Sequence, residues 1–227
     1  MTGKHKHCAE SISPATRPPP SVATMTNRQQ NILLIGASGT LGRALHETLT
    51  ARGHTVRTVG RTSGDLRFDI TDPARIGALY EAAGPVDAVV SAAGSVPFKP
   101  LAELGPDDWQ AAFTGKVLAQ VELVRQGLAH VAERGSFTLI TGVLAQEPIV
   151  TGAAAALANG AVEAFVRAAA VEIAPQRVNA VSPNVFTESL DSYGDFFPGM
   201  GSVPLEDVAR TYVRSVEGAQ TGQIYRL

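Results

Sequence analysis

Cysteine is almost missing from this chain: Cys8 stands alone among 227 residues. One thiol excludes an internal disulfide and any cysteine-based metal cluster, and it fits a protein of the reducing cytoplasm. Charge is sparse as well, at 18% of residues with a formal net charge of −2, and no basic run is longer than Lys4-His5-Lys6-His7. A phosphate-backbone partner therefore has no footprint, and no nucleic acid is expected. No apolar run approaches the ~20 residues that span a bilayer, so no membrane partner is expected either. The basic first residues are not followed by the apolar segment of about 7–15 residues that marks a secretion signal. His5 and His7 have no third ligand in view, and no metal site is expected. The hydrophobic content, 44%, is enough to bury a core in one domain.

Residues 1–30 are rich in Ser, Thr, Pro, His and Lys, include Arg17-Pro18-Pro19-Pro20, and show neither helical nor strand periodicity. A disordered extension is expected there, with one domain over residues 31–227. The domain opens on Asn31-Ile32-Leu33-Leu34-Ile35-Gly36-Ala37-Ser38-Gly39-Thr40-Leu41-Gly42, which reads as buried strand, tight turn and helix start. Glycines at 36, 39 and 42 suit a turn whose backbone approaches a diphosphate at a helix N-terminus. That spacing also occurs for backbone reasons alone. Leu41, Ala44, Leu45 and Leu49 then recur at helical spacing, Gly53 stops the helix, and His54 to Val59 alternates as a second strand. At its end, NAD folds place an acid on the ribose hydroxyls, whereas a 2′-phosphate needs positive charge. Here Gly60 precedes Arg61, Thr62 and Ser63, which favours NADP, the alternative being a merely solvated arginine.

A third strand is expected over Arg67 to Ile70, a helix from Pro73 to about Ala83, and a fourth strand over Val86 to Val90. Ala92, Ala93 and Gly94 follow it, small enough to let a ribose cross the strand end. The second half alternates a long helix (Asp107 to about His130), a strand (Ser136 to Ile140), an alanine-rich helix (Thr151 to about Ile173) and a strand (Arg177 to Ser182). A last helix near Pro204 to Val216 and a strand from Gln223 close it. Such alternation points to an α/β fold, a single Rossmann-type doubly wound parallel sheet of about seven strands in the order 3-2-1-4-5-6-7 with helices on both faces.

From about Asn31 onward the chain resembles the short-chain dehydrogenase/reductase family. The likeness rests on Gly36-x-x-Gly39-x-x-Gly42, Asp69-Ile70, Ala92-Ala93-Gly94 and Arg177-Val-Asn-Ala-Val-Ser-Pro183. It implies that Gly36, Ser38, Gly39, Thr40, Leu41 and Gly42 serve the diphosphate and Asp69 and Ile70 the adenine. The segment from Pro183, with Phe186 and Thr187, would then serve the nicotinamide. Asn184 stands where the family has glycine, and it tolerates a left-handed backbone better than most residues. Glu188 stands at the family's threonine. The family's Tyr-x-x-x-Lys pair falls on Ala155 and Asn159, and its serine on Gly142 beside Thr141. Seven residues after Trp109, where the family often has asparagine, stands Lys116, so asparagine and lysine look exchanged between two helices. Lys116, Thr141 and Asn159 are the candidate catalytic groups; Lys116 and Asn159 would also touch the cofactor's ribose. Ser192 and Tyr193 are further candidates on a covering loop. The resemblance implies an NADP-dependent oxidoreductase acting on a small organic carbonyl, alcohol or activated alkene, assembled as a homodimer or homotetramer. The alternative is a non-catalytic NADP-binding sensor or scaffold.

Overall fold

Short apolar runs buried on both faces make the central strands, and most strands are followed by a stretch with helical periodicity that covers one face. The computed structural model of the protein describes residues 28–227. The extension expected over residues 1–30, with His5, His7 and Cys8, therefore lies outside the described residues except at its end. There the Gln30 carbonyl accepts the Thr55 N–H at 2.9 Å.

In chain order the first half runs β1 (Asn31–Ile35), α1 (Thr40–Ala51), β2 (Thr55–Gly60), β3 (Leu66–Arg67), α2 (Ile76–Ala83) and β4 (Val86–Ser91). The second half runs α3 (Pro106–Ala112), a π-helical segment (Phe113–Leu118), α4 (Ala119–Gly127), β5 (Val131–Ile140), α5 (Ala153–Glu172) and β6 (Arg177–Ser182). After these come β7 (Val185–Phe186), α6 (Leu190–Tyr193), β8 (Ser202–Val203), α7 (Leu205–Glu217) and β9 (Ile224–Arg226). Seven strands form one parallel sheet in the order β3-β2-β1-β4-β5-β6-β9, the expected topology. The seventh strand of that sheet is ninth in the chain because β7 and β8 make a separate two-residue ribbon that sequence reading misses.

Strand alternation sorts the core into two layers. Leu33 and Ile35 of β1 pack with α2, α4 and α5 through Leu79, Leu123, Val162 and Val166. Ile32 and Leu34 face the other way, onto Leu41, Leu45 and Leu49 of α1 and Val208, Tyr212 and Val216 of α7. Truncating one of these, Leu45 for instance, is expected to cost about 2–5 kcal/mol.

Two expectations need correction. The third strand is Leu66–Arg67 rather than Arg67 to Ile70, because β2 offers it only two residue pairs at the sheet edge. The 20-residue α5 is long and apolar enough, by length and composition, to cross a membrane. It carries Glu163 and Asn159 buried against the fold, and it packs on β6. Strand order reverses between β1 and β4, which opens a crevice above the C-terminal strand ends where Gly36, Gly60, Gly94, Gly142 and Pro183 converge.

Candidate active site

The glycine turn is held by its neighbours on both sides. Gly36 N–H bonds the Val59 carbonyl at 2.8 Å and Ala92 N–H bonds the Ile35 carbonyl at 2.9 Å, which ties β1 to β2 and β4 where the turn begins. Gly36 adopts φ +81, and a Cβ there would lie 3.0 Å from the Ala92 backbone. A Cβ on Gly42 would lie 2.1 Å from the Gly36 oxygen, so only glycine lets α1 start so close to the turn. Gly39 differs: its nearest neighbour would be 3.5 Å away. It is the N-cap of α1 and no side chain caps that end, so the helix's first N–H groups and dipole face open space. Ser38, Gly39 and Thr40 are exposed, while the Leu41 side chain goes into the core and offers only backbone to the turn. Arg43 Nη1 donates to the Ser38 carbonyl at 2.5 Å, bracing the turn from the first helical residues.

Beside the turn lies a cavity of about 340 Å³, lined by Ser38, Arg43, His46, Thr58, Ser63 and Asp65 among others. Sequence reading misses Arg43, His46 and Asp65 here. Asp65 folds back so that one carboxylate oxygen accepts both the N–H and the hydroxyl of Thr58 at 2.8 Å, which holds it below the usual carboxylate range. Arg61 and Thr62 are exposed just outside this lining. Asp69 Oδ1 accepts the hydroxyl of Thr71 at 2.7 Å and its N–H at 3.0 Å, bonds that lower its pKa, and Ile70 beside it is buried.

The other end of the crevice is built by the π segment. Its wider turn presents the Gly115 carbonyl to Ser95 N–H at 3.3 Å, docking the loop after β4. One turn on, buried Gln120 accepts the Ile140 N–H at 2.8 Å and donates to the Ile140 carbonyl at 2.9 Å, which fixes the end of β5. Lys116 lies between these anchors. Its stem runs over Gly94, where a Cβ would sit 3.0 Å from the Lys116 Cδ. By surface the residue is half-buried, but enough protein surrounds the ammonium for desolvation alone to lower its pKa to about 8. Among the described residues no ion pair engages it.

Asn159 enters from α5, which packs on the π segment. It is 5% exposed, its Nδ2 lies 3.3 Å from where a Cβ on Gly142 would stand, and its Oδ1 is buried with no hydrogen-bond partner. Two glycines thus make room for two polar side chains: Gly94 for Lys116 and Gly142 for Asn159. Ala155 is buried and offers no polar group. Thr141, the third catalytic candidate, is 4% exposed, and its hydroxyl and N–H both donate to the Val181 carbonyl, at 3.3 and 2.9 Å. Past buried Pro183, Asn184 is not left-handed; among non-glycine described residues only Thr151 has positive φ. Its side chain instead accepts the Val185 N–H at 2.8 Å. Phe186 sits in the β7–β8 ribbon, the Thr187 hydroxyl bonds Ser202 at 3.0 Å, and Glu188 caps α7 through the Leu205 N–H. Ser192 and Tyr193 are exposed on α6.

A family model described as Enoyl-(Acyl carrier protein) reductase matches residues 31–202. A hydroxynaphthalene reductase-like protein of Metarhizium brunneum is 29% identical over 153 residues, covering 63% of this chain but only 57% of that protein's length. Human L-xylulose reductase is 25% identical over 179 residues, 71% of this chain and 73% of its own. Among solved structures, the protein lin1944 from Listeria innocua is 49% identical, covers 87% of this chain and 99% of its own, and superposes with a TM-score of 0.85. A small-chain dehydrogenase in complex with NADPH shares the fold at 23% identity, with a TM-score of 0.78 over 88% of this chain and 97% of its own. With the sheet order and the glycine turn, these matches show that the chain belongs to the short-chain dehydrogenase/reductase family of oxidoreductases.

Proposed function

We propose that the chain is an NADP(H)-linked oxidoreductase acting on a small carbonyl, alcohol or activated-alkene substrate. The observation that carries the reading is the Asn159 side-chain amide, 5% exposed beside Gly142 with its Oδ1 unpartnered: a buried polar group left unsatisfied costs about 1–3 kcal/mol, and a ribose hydroxyl of a bound dinucleotide would pair with this amide. The open N-terminus of α1 suits the diphosphate, so the residues present fit such a cofactor at both ends of the crevice. When bound, it supplies or accepts the hydride. The chain's own groups hold and orient it: the Ser38 to Leu41 backbone at the diphosphate, Arg43, Arg61, Thr62 and Ser63 as donors toward a 2′-phosphate, Ala92 to Gly94 under the ribose. Asp65 borders the same cavity with Oδ2 committed to Thr58, and its Oδ1 would suit a ribose hydroxyl. Arginine forks match phosphate bidentately, which favours NADP over NAD.

Isothermal titration of the full chain with NADPH and NADH tests this. Tighter NADPH binding by about tenfold or more, a difference of about 1.4 kcal/mol, is expected, and it should shrink in Arg43→Ala and in Arg61→Ala. Equal affinities would remove the NADP assignment, and no binding of either would remove the function. A second reading, a non-catalytic NADP-binding protein, is favoured by one observation: neither Ala155 nor Gly142 carries a hydroxyl. Steady NADPH oxidation with carbonyls or enones would exclude it.

A further inference from the structure

We infer that Lys116 is the proton donor of this site, its Nζ passing a proton to the carbonyl oxygen of an aldehyde or ketone held at the strand ends. The inference rests on the NADP(H)-linked reading and adds the acid and the substrate class. Three observations carry it. No other acid is offered there: Ala155 and Gly142 have no polar side chain, and the Thr141 hydroxyl is spent on the Val181 carbonyl within the sheet. The fold clears a path for this lysine, since its stem crosses Gly94 where a side chain would collide, the π segment that carries it is fastened to the loop after β4 through Ser95, and Gln120 at the start of α4 bonds both the Lys116 carbonyl and β5. Among the described residues its ammonium also has no counter-ion.

Of the titratable groups on α3, α4 and α5, Asp107 and Glu172 are solvent-exposed and the others are engaged elsewhere. On α5, Glu163 binds Gln146, Ser182 and Arg226; at the start of α3, Asp108 pairs with Lys99 at 2.6 Å; on α4, Glu122 pairs with Arg125 at 2.7 Å. The β4 and β5 ends contribute only Ser91, Ser95 and Thr141, and burial is the sole cause of the lysine's lowered pKa of about 8. A lysine in that range is a competent acid near neutral pH. Asn159 beside Gly142 is the positioning group, holding the ribose side of the site.

The step balances. The carbonyl carbon gains a C–H bond from the hydride that the reduced cofactor supplies. The oxygen gains an O–H bond as an N–H bond of Lys116 breaks. The neutral amine then recovers its proton from water. Reduction therefore needs the ammonium and should slow as pH rises through about 8, whereas alcohol oxidation needs the amine and should quicken over the same range.

The chain has four lysines, Lys4, Lys6, Lys99 and Lys116, so ¹³Cε-lysine spectra of the full-length protein can follow each ammonium. The Lys116 signal, identified by its loss in Lys116→Met, is expected to titrate near 8. Turnover is read as NADPH oxidation with 2,3-butanedione and 9,10-phenanthrenequinone, and NADPH binding by isothermal titration. Lys116→Arg keeps the charge but has no proton to give near neutral pH. It should bind NADPH within about threefold of the parent and lose about 10²-fold or more in turnover. Three results would overturn the inference: Lys116 titrating near the 10.5 of a free lysine, either variant keeping turnover within about threefold, or a parent chain that binds NADPH yet oxidises it with neither probe. A chain that binds no NADPH would take down the functional reading as well as the inference.

Discussion

Replacing Lys116 by Met should make the protein more stable while removing its reactive group. The two side chains have similar length, and the stem that lies on Gly94 is kept, so packing changes little. The ammonium is what the fold pays for. An unfolded lysine keeps its proton to about pH 10.5, and this one gives it up near 8 in the folded chain. Between those values the unfolded state binds more protons, so stability rises with pH; below pH 8 the penalty is complete and above about 10.5 it is gone. A drop of that size corresponds to about 3 kcal/mol, and because the side chain is only half-buried, about 1–3 kcal/mol is the gain expected for Lys116→Met at pH 7. Guanidinium unfolding of parent and variant at pH 7 and at pH 10.5, extrapolated linearly, measures it. The variant should be the more stable at pH 7, and the gap should close at pH 10.5. A variant less stable at pH 7, or a gap independent of pH, would refute the burial argument.

The glycine turn offers a paired test. Gly42→Ala forces a methyl to 2.1 Å from a carbonyl oxygen and should cost about 1–3 kcal/mol, a melting shift of roughly 2–10 °C, whereas Gly39→Ala meets nothing closer than 3.5 Å and should melt within about 2 °C of the parent. Yet Gly39→Ala, whose methyl projects where the diphosphate would sit, should weaken NADPH binding about tenfold by titration; unchanged affinity would move the diphosphate off α1. Assembly is a further expectation: Leu157 and Val171 on α5 are 51% and 83% exposed, and Phe113 in the π segment, which packs on α5, is 41% exposed. A homodimer or homotetramer by light scattering at micromolar concentration is expected, with Leu157→Glu dissociating it, and a parent that is already monomeric would end that proposal.

The central strands and the sheet order are legible in the sequence because both faces of a parallel sheet are buried, so Ile32 to Ile35 and Ala88 to Val90 read as unbroken apolar runs. The π segment is not. Ala112, Val117 and Ala119 keep one apolar stripe through it, and a pattern of buried residues does not record which carbonyl each N–H reaches. Thr141 is a related case: its place just after β5 puts it near the strand ends, but only the register with β6 sends its hydroxyl to Val181. Arg43 and Asp65 go unnoticed because their roles arise when a helix flank and a loop meet across the β2 end, far from any motif spacing. Asn184 shows a side chain doing what backbone freedom does elsewhere, its amide oxygen capping Val185 without a left-handed turn. Lys116 and Asn159 stand out in the sequence as an exchange, and the structure adds the two glycines that give each of them space.

The claim that Lys116 and the dinucleotide share one site is tested most directly by the ¹³Cε-lysine spectrum during titration with NADP and, separately, with adenosine 2′,5′-bisphosphate, which has the adenosine half and no nicotinamide. NADP should move the Lys116 signal and leave Lys99, paired with Asp108, in place, while the bisphosphate should bind without moving either. NADP binding that leaves the Lys116 signal where it was would contradict the account.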